Sequence, residues 1–376
     1  MKILFCQTQF KMGGQQRALL TIAKELNKSN DVTIYYENHS FFDFGSLKIK
    51  KMNLVYQYVN LIYVILKNFK LFKNEKRTIL DKWHLLNLRK KLKGEEYDLV
   101  ILLNPYILYV NEIKDIIHTN KIICWTHGTY EDYVNNRFKE ENIQLFNSMR
   151  SADKIISIES ETAKNWRKIN HNVSVIPNPV TIVNNIGDSN LENNKIGFIG
   201  RIDVYQKGLD YFCEMVSKLD ASFKVLLAGD GTKDEVNNLK EYIKKFGIEK
   251  RVNLVGPLKG KDLEEFYKSL SVLVMTSRYE GFGLVAIEAM EFGVPFVGFD
   301  IAGLRQVTKN QEYGKLVPLG DTSSMAKTIT ELLNDRRELL KFSSLSKKRA
   351  KQLSVENVIK KWENELGCEK KELGDY

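Results

Sequence analysis

Hydrophobic residues in this 376-residue chain gather in short, nearly unbroken runs. In the first half these are KILFCQ, DVTIYY, DLVILLN, KIICWTH, KIISI and VSVIP; in the second, KIGFIG, FKVLLAG, VNLVG, VLVMTS, PFVGF and GKLVP. Continuous runs of this length, rich in β-branched residues, predict strands buried on both faces, the condition of a parallel sheet. The stretches between them are of helix length, as in QQRALLTIAKELNKS, where apolar positions recur three and four residues apart. Strand and helix alternating in two series predict an α/β fold of two doubly wound, Rossmann-like domains. The length points the same way, since it exceeds what one typical core serves.

The break between the series is legible. IPNPV, residues 176–180, ends the first series on two prolines, and the polar TIVNNIGDSNLENNK follows. Proline restricts the backbone and the asparagine-rich stretch has little to bury, so it reads as a linker. An N-terminal domain is expected over residues 1–178, a linker over 179–194 and a second domain over 195–355, with 356–376 as a closing segment. No repeat of solenoid period is present.

Composition narrows the setting. A hydrophobic fraction of 43% with six prolines is that of an ordinary globular protein. Cys6, Cys124, Cys213 and Cys368 are scattered without a CxxC pair, which predicts reduced thiols in a cytoplasmic protein and neither a disulfide framework nor a zinc site. MKILFCQTQF enters a strand directly and has no signal-peptide core. The longest apolar run, residues 54–66, contains Gln57 and Asn60 and is too short to span a bilayer.

In a parallel sheet, ligands sit beyond the carboxyl ends of the strands, where loops meet helix N-termini. Polar and glycine residues just after each run are therefore the candidates. Gly13 and Gly14, in FKMGGQQR, can bring backbone N–H groups to an anion or simply form a turn; the spacing is not the dinucleotide fingerprint. In RIDVYQKGLD, Arg201 follows a strand and Lys207 precedes a helix. A fork and a point charge together suit a diphosphate, the alternative being a pair of ordinary surface cations.

EGFGLVAIE places Gly281 and Gly283 at a helix N-terminus, so the N–H groups of Phe282, Gly283 and Leu284 can face a phosphate. Glu280 stands before them. Glu288 lies about a turn and a half into the helix among core-forming residues, where a carboxylate is costly unless paired. Both carboxylates can accept from the paired hydroxyls of a sugar or ribose. His127, in CWTHG, also ends a strand, and is either a structural hydrogen-bonding residue or a catalytic one. No Asp-x-Asp, His/Cys cluster or Ser/His/Asp set appears, so metal and hydrolase-triad chemistry are not indicated.

The net charge of +10 is localised. Residues 46–93 hold 13 Lys or Arg against Glu75 and Asp81, and this +11 accounts for the whole excess. Tyr58, Ile62, Ile65, Phe69 and Phe72 recur at helical spacing beside a strip of Lys67, Lys70, Lys73 and Arg77. Such a helix suits an anionic membrane surface or acceptor; a core-packed helix with a solvated basic face is the alternative. A nucleic-acid groove is the weakest option, because no binding motif accompanies the charge.

Taken with their flanks, the Gly13–Gly14 pair, GRIDVYQKG (200–208), EGFGLVAIE (280–288) and THG at His127 resemble the retaining GT-B glycosyltransferases of family 4. The resemblance covers essentially the whole chain and is strongest over residues 195–318. It implies two Rossmann-like domains facing each other across a cleft, with no metal or other cofactor. Arg201, Lys207 and the N–H groups of Phe282 to Leu284 would hold the diphosphate of a nucleotide-sugar donor, approached by Gly14. Glu280 and His127 would contact the donor sugar, Glu288 the ribose, and the loop holding Gly229 would lie near the base. The segment VIKKWENEL resembles the helix that crosses back to the first domain. The resemblance makes the linker at residues 176–180 the hinge between the domains; where the family often has Pro-Asn-Gly, this chain has Pro177-Asn178-Pro179, which should stiffen it.

The expected activity is metal-independent, retaining transfer of a hexose or N-acetylhexosamine, UDP-linked at the donor, to a lipid-linked glycan. The expected setting is surface-polysaccharide or teichoic-type polymer synthesis, peripheral at the inner face of the cell membrane, with no nucleic-acid partner. The alternatives are the same fold with a soluble acceptor, or a non-catalytic nucleotide-sugar or nucleic-acid binder.

Overall fold

The computed structural model describes residues 1–10, 13–38, 40–52 and 78–367. They divide into two compact units, Met1–Ile176 and Pro177–Tyr376. The first holds seven strands: β1 (Lys2–Cys6), β2 (Asp31–Tyr36), β3 (Lys48–Lys51), β4 (Glu96–Leu102), β5 (His118–Thr126), β6 (Lys154–Ser157) and β7 (Val173–Val175). The second holds six: β8 (Lys195–Ile199), β9 (Lys224–Ala228), β10 (Val252–Gly256), β11 (Val272–Met275), β12 (Phe296–Phe299) and β13 (Lys315–Val317).

Every pairing is parallel, in the orders β3-β2-β1-β4-β5-β6-β7 and β10-β9-β8-β11-β12-β13. Both sheets are therefore doubly wound Rossmann-like sheets, as the apolar runs predict. Their central strands are buried on both faces: Ile3 to Cys6 and Val272 to Val274 have no accessible surface. Aromatic and aliphatic side chains of β1, β2, β4, β5 and the flanking helices form the core of the first unit, including Tyr35, Tyr106, Tyr133 and Trp166. Cys6, Cys124 and Cys213 are buried free thiols.

Strand order reverses between β1 and β4 in the first unit and between β8 and β11 in the second. At such a reversal the loops leave to opposite sides and open a crevice at the strand carboxyl ends. The motifs after β8 and β11, which hold Arg201, Lys207 and Glu280, lie at this crevice of the second sheet.

Two elements depart from expectation. β3, with the sequence KIKK, is a paired edge strand that has no apolar run to announce it. Residues 179–194 do not behave as a solvated spacer within the second unit. The Val180 N–H donates to Leu353 O at 2.8 Å, the Ser189 N–H to Phe292 O at 2.8 Å and the Asn190 N–H to Lys268 O at 2.9 Å. The Lys347 ammonium pairs with Asp188 at 2.7 Å, and Val180 and Leu191 are buried. The asparagines supply caps and turn bonds that hold this segment to the surface instead of freeing it.

Candidate active site

Two backbone contacts shape the crevice of the second unit. Gly208 has φ +60°, and a Cβ there would lie 1.9 Å from the carbonyl oxygen of Thr276. Only glycine allows the loop after β8 to press its backbone onto the end of β11. At Gly229 a Cβ would lie 1.9 Å from Gly200 O, so the loops after β8 and β9 also meet backbone to backbone. The Ile202 N–H, donating to Asp230 O at 2.8 Å, continues that seam.

This packing brings Lys207 to Glu280. Their side chains form an ion pair, 16% and 13% exposed, and the Ser277 hydroxyl donates to the same Glu280 oxygen at 3.1 Å. The residues are 73 positions apart in sequence and meet because β8 and β11 are neighbours. Arg201 is 60% exposed, with its guanidinium on Gln206 and, at 3.3 Å, on Asp203. Its charge is anchored at the base and open at the surface.

Behind the Glu280 turn, Gly303 admits a close approach: a Cβ there would lie 2.5 Å from Glu280 O and 3.0 Å from the Phe282 nitrogen. Gly281 follows Glu280, the Phe282 ring is buried at 3% exposure, and Gly283 caps the helix Leu284–Glu291. The positive end of that helix lies directly after Glu280.

Glu288 has no accessible surface. One carboxylate oxygen accepts from the Thr181 hydroxyl at 2.5 Å and the other from the Tyr267 hydroxyl at 2.9 Å. The carboxylate, costly in such surroundings unless paired, is thus paired by protein hydroxyls. Neither partner was anticipated from sequence, since Thr181 lies in the asparagine-rich segment and Tyr267 on another helix.

In the first unit, Gly13 has extended backbone and precedes the helix Gly14–Leu26, whose first turn carries no acidic residue. His127 follows β5. Its backbone N–H donates to the Tyr133 hydroxyl at 2.9 Å, its ring lies 4.3 Å from that of Trp125, and both ring nitrogens are buried without a hydrogen-bond partner among the described residues. Burial, assisted by the Arg137 charge, pulls its pKa down to about 3, so the imidazole is neutral at physiological pH. The basic strip Lys67, Lys70, Lys73 and Arg77 lies outside the described residues.

Among the described residues, no three His, Cys, Asp or Glu side chains form a group that could hold a metal, and no helix is long and apolar enough to cross a membrane.

Comparison with known proteins agrees with this fold. Residues 12–183 match the family model described as Glycosyltransferase Family 4, and residues 193–335 that described as Glycosyl transferases group 1. A Haemophilus influenzae protein described as an uncharacterized glycosyltransferase is 26% identical over 363 residues, spanning 94% of this chain and 96% of its own. A Campylobacter jejuni enzyme is 25% identical over 376 residues, spanning 96% and 97%. Its name is GalNAc-alpha-(1->4)-GalNAc-alpha-(1->3)-diNAcBac-PP-undecaprenol alpha-1,4-N-acetyl-D-galactosaminyltransferase. The Anabaena protein Alr3699/HepE, solved in complex with UDP-glucose, superposes with a TM-score of 0.74 over 98% of this chain and 100% of its own, at 18% identity. The chain belongs to the group 1 glycosyltransferases, family 4, retaining enzymes of GT-B fold.

Proposed function

We propose that this glycosyltransferase moves a hexose or N-acetylhexosamine from a UDP-sugar to a lipid-linked glycan, at the inner face of the cell membrane, in surface-polysaccharide or teichoic-type polymer synthesis. The observation that carries the donor half is the Lys207–Glu280 ion pair at the β8/β11 reversal. Without donor the two side chains satisfy each other. An arriving nucleotide-sugar offers Lys207 a diphosphate and Glu280 a sugar hydroxyl, so each exchanges one charged partner for the substrate.

As the glycosidic bond breaks, negative charge builds on the departing diphosphate. Lys207, the exposed guanidinium of Arg201 and the N–H groups of Phe282 to Leu284 are fixed donors for that charge. Because they are in place beforehand, little reorganisation is needed in the transition state. Gly14, at the start of its helix, is a further candidate for the phosphates, and Gly229, in the loop after β9, for the neighbourhood of the base. We assign neutral His127 to a hydroxyl of the donor sugar, since both ring nitrogens are unengaged in the described residues. Glu288, oriented by the Thr181 and Tyr267 hydroxyls, is the candidate for the ribose hydroxyls.

The UDP-glucose complex of the Anabaena relative supports a UDP donor, and the name of the Campylobacter relative supports a polyprenyl-linked acceptor. The +11 charge of residues 46–93 supports an anionic surface or acceptor.

The test is nucleotide release from UDP-glucose, UDP-galactose, UDP-GlcNAc, UDP-GalNAc and GDP-mannose, each with and without an undecaprenyl-diphosphate-linked sugar. Release from one UDP-sugar, stimulated by the lipid-linked acceptor and reduced about a hundredfold or more in Glu280→Gln, is expected. Equal stimulation by the free sugar would remove the lipid from the proposal, and release from GDP-mannose alone would remove UDP.

A further inference from the structure

Lys207 and Arg201 stand on a turn, residues 201–208, that no strand holds. A third cation, from the other side of the crevice, ties this turn at several points. Arg278 lies two residues before Glu280, and its backbone N–H donates to Gln206 O at 3.0 Å. Its Nη1 donates to Tyr205 O at 2.8 Å and to Asp210 Oδ1 at 2.8 Å, while Nη2 donates to Asp210 Oδ2 at 2.6 Å. The guanidinium also lies over two rings, 4.8 Å from the centroid of Tyr205 and 4.1 Å from that of Tyr211. Beside it, the Thr276 hydroxyl donates to Lys207 O at 3.0 Å.

A bidentate fork lying over aromatic faces is a geometry that arginine alone among the side chains provides. The pair is largely shielded, at 18% and 23% side-chain exposure, so its attraction is less screened than that of a surface pair. Burial pushes the Asp210 carboxyl up, but the Arg278 hydrogen bond and charge outweigh it and hold the group below its usual range. Asp210 also sits in the first turn of the helix Leu209–Ser217, where the helix dipole favours a carboxylate. Three of its five N–H groups already have protein acceptors, and both arms of the fork are committed to Asp210.

We infer that Arg278, clamped by Asp210, Tyr205 and Tyr211, is a positioning residue: it sets the turn from which Lys207 reaches the donor diphosphate and does not itself touch the donor. This rests on the donor reading proposed above. On that reading, the clamp joins the loop after β8 to the turn after β11, so the two sides of the diphosphate site are set by one side chain.

The test is a double-mutant cycle on UDP binding, read by titration calorimetry on the full chain. Arg278→Gln weakens UDP about tenfold in the wild-type background, and less than about twofold where Lys207→Met has already removed the group it positions. Arg278→Lys keeps the charge, loses the fork and falls near Arg278→Gln. Tyr205 is 69% exposed, so Tyr205→Leu leaves the core intact and keeps the test available if Arg278→Gln does not fold; a loss of about threefold, again absent in the Lys207→Met background, is expected. Equal losses in both backgrounds, or full retention of affinity in Arg278→Gln, overturn the clamp while leaving the donor site standing. A wild-type chain that binds neither UDP nor GDP overturns the donor reading, and the clamp falls with it.

Discussion

Burying both ring nitrogens of His127 has an energetic consequence that a pH series can read. The folded chain holds this imidazole at about 3, well below the 6.5 of an unperturbed histidine. Above pH 6.5 the side chain is neutral in both states and contributes no pH dependence. Below 6.5 the unfolded chain takes a proton that the folded chain refuses, so stability falls until the pH reaches about 3. At pH 5 that single group costs up to about 2 kcal/mol. Urea unfolding at pH 7.5 and pH 5 should therefore show a larger drop in the wild type than in His127→Phe, by about that amount. Identical drops would mean that the imidazole titrates freely. At this scale the sequence was informative about residue types and less so about partners. Glu280, Lys207 and Arg201 could be picked out because strand ends locate them. The Thr181 and Tyr267 hydroxyls on Glu288 could not, because they arrive from segments 107 and 21 residues away.

Elements place these groups through their ends rather than their interiors. Twelve strands were legible because each carries an apolar run, which in the central strands follows from burial on both faces. β3 escaped because it has one apolar residue among three lysines, whereas the other edge strands, β7, β10 and β13, keep apolar runs; the lysines suit an edge by discouraging further pairing. The strand ends depend on Gly208. Gly208→Ala adds a Cβ in a left-handed conformation and drives it into the Thr276 carbonyl, which cannot retreat without loosening β11. Gly247 is a useful control, with φ +64° and open space within 4 Å of where a Cβ would stand. Gly247→Ala should cost about 1 kcal/mol, the backbone term alone, and Gly208→Ala at least about 2 kcal/mol more, in chemical denaturation. Gly208→Ala should also lose UDP binding where Gly247→Ala keeps it. Matching costs would mean that the turn relaxes easily and that its close approach is incidental.

For the whole molecule, the question is where the positive charge goes. Arginine–aspartate and lysine–glutamate pairs balance much of the second unit, whereas residues 46–93 hold a +11 excess in one stretch of the first. Of that stretch, β3 and the helix Thr78–Leu92 are described, and the strip Lys67, Lys70, Lys73 and Arg77 falls between them, so its part in binding is argued from charge. A cation near an anionic bilayer contributes about 1 kcal/mol, and three of them about 3 kcal/mol, a factor above a hundred in partitioning. Vesicles of phosphatidylglycerol and phosphatidylethanolamine should therefore carry the wild-type chain to the top of a sucrose gradient at about 100 mM salt. The triple variant Lys67→Glu, Lys70→Glu, Lys73→Glu should stay at the bottom. Raising the salt should release the wild type, because screening shortens the reach of exposed charges. UDP affinity should be the same in both proteins, since Lys207, Glu280 and Arg201, proposed to hold the donor, lie on the second unit. Flotation that persists in the triple variant would place membrane attachment elsewhere in the chain, and loss of UDP affinity with it would mean that the basic stretch serves the fold and not the membrane.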